Sequence, residues 1–262
     1  MYYKQGKRRR LMEFVKTAFI FLILGLMVTV LTPIGLLLFI ANCLGLRKSV
    51  SFLICRIAYL FARILIRLTG CDLRIRGREN IPREGGLCFV SNHCGYLDIL
   101  LILATAGRTV GFIAKKELAF IPFLNFWILI MGGFFIDRKN TRKSLAAIKT
   151  GARRIQAGNS ILIFPEGHRS KGQGLLPFHA GSFKLATDAD APIVPVAITG
   201  SYEVFEKTGR VKPAPVWIAF GKPIMTKDIP PGNRRQALSD RVREVIAGEL
   251  AESDRELANL SC

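Results

Sequence analysis

Apolar and polar positions divide this chain into two parts with different patterns. The first part holds an uncharged run from Thr17 to Leu46 and a second apolar stretch from Val50 to Leu68. After Cys71, short apolar runs alternate with longer stretches that have the periodicity of helices. We therefore predict N-terminal membrane-anchoring helices over residues 1–69 and an α/β domain over residues 70–262.

The second part predicts strands and helices in alternating order. The predicted strands are Leu73–Arg76, Leu87–Ser91, Thr109–Ala114, Gly133–Ile136, Ser160–Phe164, Ile193–Thr199 and Val216–Phe220. The predicted helices are Leu97–Ala106, Leu118–Ile130, Arg142–Ala157, Ser182–Asp188 and Arg234–Leu257. Strands without polar positions are typical of a sheet that is covered on both faces. The fold class is therefore predicted as α/β, a layered, mainly parallel or mixed sheet flanked by helices.

The uncharged run near the N-terminus is long enough to enter a membrane. As one helix it would extend about 45 Å, which exceeds the roughly 30 Å of a bilayer's hydrocarbon core. Thr32-Pro33-Ile34-Gly35 interrupts it near the middle, and basic residues flank both ends. Because positive flanks stay cytoplasmic, this pattern favours two half-helices that dip into the membrane and return, with a single tilted span as the alternative. We expect the segment to be retained, since no signal-peptide cleavage site is evident.

The stretch from Val50 to Leu68 carries a stripe of cations. Arg56, Arg63 and Arg67 fall within about 40° of one another on a helical wheel. Such a stripe on an apolar helix favours a position at a membrane surface, with guanidinium groups among lipid phosphates. The alternative is a core helix whose polar stripe faces water.

Composition narrows the classes of partner. Lys and Arg number 38 against 19 Asp and Glu, a net charge of +19 that suits a polyanionic partner. The apolar N-terminus favours an anionic lipid surface, and no nucleic-acid recognition motif is present. The six cysteines have no CxxC spacing, which indicates a reducing compartment without a disulfide framework. The three histidines lack zinc-ligand spacing, so a zinc site is not expected. No other metal and no cofactor is expected.

The most informative residues are His93 and Asp98. They follow the predicted strand Leu87–Ser91, so His93 lies in a strand-to-helix turn and Asp98 in the first turns of the next helix. A carboxylate that accepts a proton from one ring nitrogen leaves the other nitrogen free to deprotonate a hydroxyl. The alternative is an Asp that interacts with the helix dipole beside a packed His. Cys94 suggests a thiol nucleophile, but residues adjacent in sequence seldom point correctly for proton transfer.

Three other strand ends carry charged residues. The loop Phe164-Pro165-Glu166-Gly167-His168-Arg169-Ser170 presents a carboxylate and a planar guanidinium suited to phosphate oxygens, or is only a surface turn with a local ion pair. Arg138 ends the run from Gly132, and Lys115 and Lys116 follow another strand. These cations either bind an anionic head group or face water or lipid. In open α/β sheets, sites form where strands end, so we expect one shared cleft.

Together these residues resemble the glycerolipid acyltransferases, most closely the bacterial 1-acyl-glycerol-3-phosphate acyltransferases. His93 and Asp98 match the family's His-x4-Asp block, and residues 164–170 match its Phe-Pro-Glu-Gly-Thr-Arg-Ser block with His168 in place of Thr. Residues 132–138 resemble the Gly-x-x-Phe-Ile-x-Arg block, and Val194-Pro195 the Val-Pro block. The likeness covers about residues 71 to 222, and four motifs in the right order are a strong signal.

The resemblance implies transfer of a fatty acyl chain from acyl-CoA or acyl-carrier protein to the 2-hydroxyl of lysophosphatidic acid, giving phosphatidic acid. It implies His93 as general base and Asp98 as its orienting partner. Glu166, Gly167 and Arg169, with Arg138, would surround the glycerol phosphate. The resemblance also implies a monotopic pair of N-terminal helices at the cytoplasmic face of a membrane.

Other functions stay open at this point. The Cys94-Gly95 pair and His168 depart from the family's blocks, and a relative that acylates another lysolipid, such as lyso-ornithine lipid, would share the same core. A thioester hydrolase would let water replace the alcohol. A non-catalytic lipid-binding protein on the same fold is the remaining class, although both His93 and Asp98 are present.

Overall fold

The computed structural model describes residues 2–137, 139–230 and 232–260. Its α-helices are α1 Tyr2–Cys43, α2 Arg47–Thr69, α3 Leu97–Thr105, α4 Leu124–Ile130, α5 Thr141–Gln156, α6 Lys184–Ala189, α7 Ser201–Val204 and α8 Arg234–Leu260. Its strands are β1 Asp72–Arg76, β2 Leu87–Ser91, β3 Val110–Lys115, β4 Phe134–Ile136, β5 Ser160–Ile163, β6 Ile193–Thr199 and β7 Pro215–Phe220. Short 3₁₀ segments lie at Arg78–Asn80, Lys116–Phe120, Ala180–Phe183 and Thr226–Asp228.

The described strands form one mixed sheet in the order β1-β7-β6-β2-β5-β3-β4. All neighbouring strands pair in parallel except β6 and β7, which run antiparallel with Ala197 opposite Ala219. As a result β2 to β6 share one direction, and their carboxyl ends lie at one edge of the sheet. The predicted fold class is confirmed.

Each face of the sheet is covered by helices because successive strand residues point to opposite sides. Phe89 and Leu162 belong to a core that also contains Ile54 and Ala62 of α2 and Leu101 of α3. Cys88, Val90, Ile161 and Ile163 belong to the opposite core, which includes Leu185 of α6 and Leu238 of α8. This double covering explains the uniformly apolar strands of the centre.

Helix α1 is continuous through Pro33, so the predicted interruption at residues 32–35 is wrong. Proline removes one backbone donor and strains the preceding turn. Around it, the Thr32 hydroxyl donates to the Val28 carbonyl at 2.7 Å, and Gly35 allows the rings of Phe126 and Trp127 to approach closely. Within the described residues, Arg10–Ala41 is the one stretch long and apolar enough to cross a membrane, judged by length and composition alone.

Contacts with the rest of the chain occur along α1 from about residue 16 to residue 39. In the first half of the helix, Lys16 Nζ donates to the Thr69 carbonyl of α2 at 2.7 Å, and the Thr17 hydroxyl accepts from the Val211 backbone N–H at 2.8 Å. Near the other end, the ring of Phe39 meets that of Phe126 in α4 at 6.3 Å between centroids. Residues 16 and 39 are about 35 Å apart along a helix. Helix α1 therefore lies lengthwise against the domain.

Helix α2 contributes one face to the core and leaves its arginines outside that face. Ile54, Ala62 and Ile66 are buried, while the Arg56 and Arg63 guanidinium groups lie over the rings of Phe52 and Tyr59. Helix α2 shares one core with the sheet. The predicted division into N-terminal helices up to residue 69 and an α/β domain from residue 70 stays a prediction.

The predicted helix Leu118–Ile130 is wrong in its first half. A 3₁₀ segment ends at Phe120, a turn follows, and α4 begins only at Leu124. Pro122 has no backbone N–H to donate, and Phe123 has a φ of +67°, which a regular helix does not allow.

Candidate active site

The candidate site lies where the carboxyl ends of β2, β5 and β6 meet. His93 follows β2, the loop of residues 164–170 follows β5, and Ser201 follows β6. Strand β2 lies between the other two in the sheet. Three segments distant in sequence are thereby brought to one edge of the sheet. Two of them, His93 and the loop of residues 164–170, are segments that the strand-end pattern predicted to lie there.

His93 and Asp98 form a hydrogen-bonded pair. The His93 Nδ1 and Asp98 Oδ2 atoms are 2.8 Å apart, the Asp98 side chain is fully buried, and 17% of the His93 side chain is exposed. An ionised carboxylate only accepts, so Nδ1 donates and Nε2 is the nitrogen left for a substrate. The imidazole stacks on the Phe164 ring, with centroids 3.9 Å apart and an angle of 14° between the planes. The ring is thus held from its side and its face.

The Asp98 carboxylate has further donors that fix its orientation. Its Oδ2 accepts from the backbone N–H groups of Cys94 at 2.7 Å and Gly95 at 2.9 Å. Its Oδ1 accepts from the hydroxyl of Ser201, a buried residue at the start of α7. The turn between β2 and α3 therefore folds around the carboxylate, and His93 is oriented by a group that is itself immobilised.

Asn92 joins this turn to β6. Its Oδ1 accepts from the Ile198 N–H at 2.9 Å, and its Nδ2 donates to the Ile198 carbonyl at 2.8 Å. The side chain thereby satisfies both backbone groups of a buried residue. These two hydrogen bonds fix the position at which the backbone leaves β2 just before His93.

The loop after β5 wraps around His93. The Ser170 N–H donates to the His93 carbonyl at 2.7 Å, and Glu166 Oε1 accepts from the His93 N–H at 3.3 Å. Gly167 has a φ of +75°, a conformation that favours glycine. The loop of residues 164–170 therefore supports His93 through its backbone as well as through its side chains.

Glu166 is buried behind the histidine. Its residue is 1% exposed, and Oε2 has no hydrogen-bond partner within the described part of the chain. Burial raises the pKa of this carboxyl to about 7, against the opposing effect of the His93 N–H. Contact between Glu166 and a substrate remains a prediction, whereas its contact with the His93 backbone is present in this structure.

Arg169 is held by a carboxylate and an aromatic ring. Its Nη1 donates to Glu206 Oε1, and its guanidinium carbon lies 3.8 Å from the centroid of the Tyr96 ring. Glu206 Oε2 also accepts from the Tyr96 N–H at 2.5 Å. A Cβ at Gly95 would lie 2.4 Å from that same oxygen, so glycine is needed for the approach. Glu206 thereby links the turn that carries Asp98 to the loop that carries Arg169.

Cys94 is an unsuitable nucleophile. Its Sγ donates to the Ile198 carbonyl at 3.3 Å, and burial, with a smaller contribution from the Asp98 charge, raises the pKa of the thiol to about 12. A thiol that stays protonated attacks poorly. The geometry supports the prediction that the histidine activates the acceptor directly.

The described contacts do not join Lys115 to this cluster. Lys115 is exposed at the end of β3, and the neighbouring Lys116 Nζ lies 2.8 Å from Asp137 Oδ2. Arg138 lies outside the described residues. Four of the predicted residues, His93, Asp98, Glu166 and Arg169, come together with Gly167 between the latter two, while the roles of Lys115 and Arg138 stay predictions.

Sequence reasoning missed Ser201, Glu206 and Asn92. Asn92 adjoins the first motif, but Ser201 and Glu206 are more than a hundred residues from His93. The sequence signal that could have identified Ser201 and Glu206 is their position after the predicted strand Ile193–Thr199, which ends at the same edge of the sheet as the strand before His93. Nothing local marks which side chain a distant loop will contact.

Comparisons with known proteins agree with the motifs. A family model described as "Acyltransferase" matches residues 72–199. The chain is 30% identical over 207 residues to a probable 1-acyl-sn-glycerol-3-phosphate acyltransferase of Mycoplasma pneumoniae, covering 74% of this chain and 76% of that protein. A 1-acyl-sn-glycerol-3-phosphate acyltransferase of Cocos nucifera is 34% identical over 63% of this chain, and the match spans 54% of that protein.

A 1-acyl-sn-glycerol-3-phosphate acyltransferase of Borreliella burgdorferi is 31% identical, over 58% of this chain and 62% of that protein. The match thus spans less than two thirds of some of these relatives. The crystal structure of the 1-acyl-sn-glycerophosphate acyltransferase of Thermotoga maritima superimposes with a TM-score of 0.81 at 24% identity, covering 94% of this chain and 98% of that one. That likeness establishes the fold. By its family model and its relatives, the chain belongs to the acyltransferase family.

Proposed function

We propose that this chain is a membrane-bound 1-acyl-sn-glycerol-3-phosphate acyltransferase. It transfers a fatty acyl chain from acyl-CoA or acyl-carrier protein to the 2-hydroxyl of lysophosphatidic acid and forms phosphatidic acid. The observation that carries the proposal is the His93–Asp98 pair, with Nδ1 bonded to a buried carboxylate at 2.8 Å, beside a loop that presents Arg169. The activity for which the relatives are named supports the same reaction.

The reaction proceeds in one transfer step. His93 Nε2 takes the proton of the acceptor hydroxyl as its oxygen attacks the thioester carbonyl, and the carbon–sulfur bond breaks when the tetrahedral intermediate collapses. The thiolate leaves and is protonated by the imidazolium, which restores the neutral histidine. Asp98 stabilises that imidazolium while it exists. The step balances without a cofactor, since the thioester supplies the activated acyl group.

The acceptor phosphate binds near Arg169. A guanidinium offers planar donors to phosphate oxygens, and the bond to Glu206 uses only Nη1. Gly167 lets the backbone of this loop approach the acceptor, and Glu166 supports the loop from behind. Lys115 and Arg138 add positive charge from neighbouring strand ends. Much of the catalysis is then positioning of the hydroxyl against the imidazole.

The membrane brings the amphiphilic acceptor to this site. Helix α1 contacts the domain at Thr17 and again at Phe39, so part of the domain would have to enter the bilayer if α1 crossed it upright. We therefore place the pair α1 and α2 in the plane of one leaflet, on the cytoplasmic side because of the basic residues at both ends of the uncharged run.

One observation favours a second acceptor class. Arg169 is already paired with Glu206, whose side chain is 10% exposed. A zwitterionic head group, such as that of lyso-ornithine lipid, would offer its carboxylate to Arg169 and its ammonium to Glu206. The lysolipid acceptor is then different, but the acyl transfer by His93 is the same.

A panel of lysolipids tests the proposal. The purified full chain receives one labelled acyl thioester and, in turn, lysophosphatidic acid, lyso-ornithine lipid, lysophosphatidylcholine or no acceptor. Labelled phosphatidic acid as the main product supports the proposal, and a preference for lyso-ornithine lipid moves the assignment to the second class. Equal thioester loss with and without every acceptor would indicate a hydrolase and contradict acyl transfer.

A further inference from the structure

A short loop between β3 and α4 exposes apolar side chains to the surroundings. In residues 120–124, here called the apolar loop, Phe120 is 84% exposed, Phe123 51%, Ile121 45% and Leu124 41%. No other large hydrophobic side chain in the described part of the chain is as exposed as Phe120. Phenylalanine side chains have a large apolar surface and are normally buried away from water.

The apolar loop is held in this conformation by its own hydrogen bonds. Asn125 Nδ2 donates to the Ala119 carbonyl at 2.9 Å, across the base of the loop, and the Trp127 N–H donates to the Phe123 carbonyl at 3.0 Å. Phe123 adopts a φ of +67°, which is costly for a residue with a Cβ. A defined, strained backbone that directs phenylalanines outward indicates a surface built for a partner.

The exposed surface of α1 adjoins this loop through α4. Phe126 of α4 packs against Phe39 and against the space left by Gly35 in α1. On the same segment of α1, Leu36, Leu37 and Ile40 are 52%, 67% and 48% exposed. These side chains and the apolar loop lie on either side of the contact between Phe126 and Phe39. Together they form a patch of exposed apolar side chains, whereas an ordinary soluble surface exposes such side chains singly.

Cations lie at the same end of the sheet as the apolar loop, the end where His93 lies. The loop follows Lys115 and Lys116 in the sequence. Arg142 and Lys143 lie in the first turn of α5, which follows β4, the strand next to β3. All four side chains are exposed, although Lys116 is paired with Asp137. Apolar groups bordered by cations fit a bilayer with anionic head groups.

We propose that the apolar loop is a second membrane-insertion element, which enters an anionic lipid surface beside α1 and holds the end of the sheet that carries His93 against that surface. The inference rests on the proposed function, because it assigns the surface through which a membrane-resident acceptor reaches His93. A second copy of the chain or a protein partner is the competing occupant, and the experiment separates these from lipid.

Depth-dependent quenching of tryptophan fluorescence tests the inference. The chain has two tryptophans, Trp127 and Trp217. In a Trp127→Phe background, Phe120→Trp is compared with Ile75→Trp, at a residue that is 44% exposed on β1, the opposite edge of the sheet. Trp217 is buried, and the Trp127→Phe chain without a new tryptophan measures its background. The full chains are reconstituted into phosphatidylglycerol-containing vesicles that carry bromine near the head group or near the chain end.

We expect bromine near the head group to quench the tryptophan at position 120 and to shift its emission to the blue, while the tryptophan at position 75 is unaffected. Equal quenching at the two positions, or none at position 120, would overturn the inference. So would sedimentation showing that the free protein dimerises through this surface, with dimerisation lost in Phe120→Ser and position 120 unquenched.

An activity ratio provides a second readout. Phe120→Ser should lower transfer to a long-chain lysolipid in vesicles relative to transfer to a short-chain, water-soluble acceptor, by about tenfold if one phenylalanine leaves the bilayer. Ile75→Ser should leave that ratio unchanged, and an unchanged ratio in Phe120→Ser counts against the inference. If no variant and no wild-type chain transfers acyl groups, the proposed function fails, whereas the quenching result still decides where the loop lies.

Discussion

The most informative single substitution is Asp98→Asn, because the structure lets its effects on folding and on chemistry be separated. Oδ2 of the carboxylate accepts from His93 Nδ1 and from the N–H groups of Cys94 and Gly95. An asparagine with its oxygen in that place keeps these bonds, and its amide nitrogen faces Ser201, whose hydroxyl is free to rotate and accept. The fold and the histidine tautomer are therefore retained, and only the negative charge is lost.

The magnitude follows from the distance. With charge centres about 4 Å apart and an effective dielectric constant of about 20, the ion pair of Asp98 with the imidazolium is worth roughly 4 kcal/mol. This stabilisation exists in the transition state and hardly at all with neutral His93. Its loss lowers kcat about 10³-fold, since each 1.4 kcal/mol is about a factor of ten.

The assay is initial-rate acyl transfer to lysophosphatidic acid at saturating thioester, with thermal unfolding of both proteins as the control for folding. We expect kcat to fall by about three orders of magnitude while the unfolding temperature changes little. A folded Asp98→Asn variant with kcat within a few-fold of wild type would refute the idea that a buried charge stabilises the imidazolium.

Three further substitutions test other parts of the site. Glu166→Gln should become progressively more stable than the wild type as the pH rises from 4.5 through 7, by up to about 3 kcal/mol in the free energy of chemical unfolding. The reason is that the buried carboxyl of the wild type has a pKa of about 7 and must ionise within the fold. A stability difference that does not change with pH would contradict this. Cys94→Ser should keep substantial transfer activity, since the thiol donates to a carbonyl and its pKa is raised to about 12; full inactivation with an intact fold would point to an acyl-enzyme. Arg169→Ala should raise the KM for the acceptor more than the KM for the thioester, and a change confined to the thioester would reassign the guanidinium.

The sheet was predictable from sequence because burial leaves a strong pattern. The run Ser160–Phe164 has no charged side chain, and β5 occupies Ser160–Ile163 as the pattern indicated. The same reasoning failed at residues 118–123, where periodicity alone places a helix. Pro122 and the positive φ of Phe123 keep these residues out of α4, which begins at Leu124. It also failed at Pro33, where packing of α1 against α4 holds a helix together across a residue that usually interrupts one.

The site was predictable in part for a related reason. Parallel strands end at one edge, so the position of His93 after one strand and Arg169 after another implies their proximity without knowledge of the fold. The contacts of Ser201 with Asp98 and of Glu206 with Arg169 depend on how the segment after β6 turns. That turn is decided by packing over long separations in sequence, and no local pattern encodes it. The burial of Glu166 is likewise a tertiary property.

The most direct test of the account is acyl transfer by His93→Ala. The variant and the wild type are assayed with lysophosphatidic acid and a labelled acyl thioester, and the unfolding temperature of each confirms that both are folded. We predict that formation of phosphatidic acid falls about 10²- to 10⁴-fold, the usual contribution of a general base. A folded His93→Ala chain that forms phosphatidic acid at the wild-type rate would contradict the account.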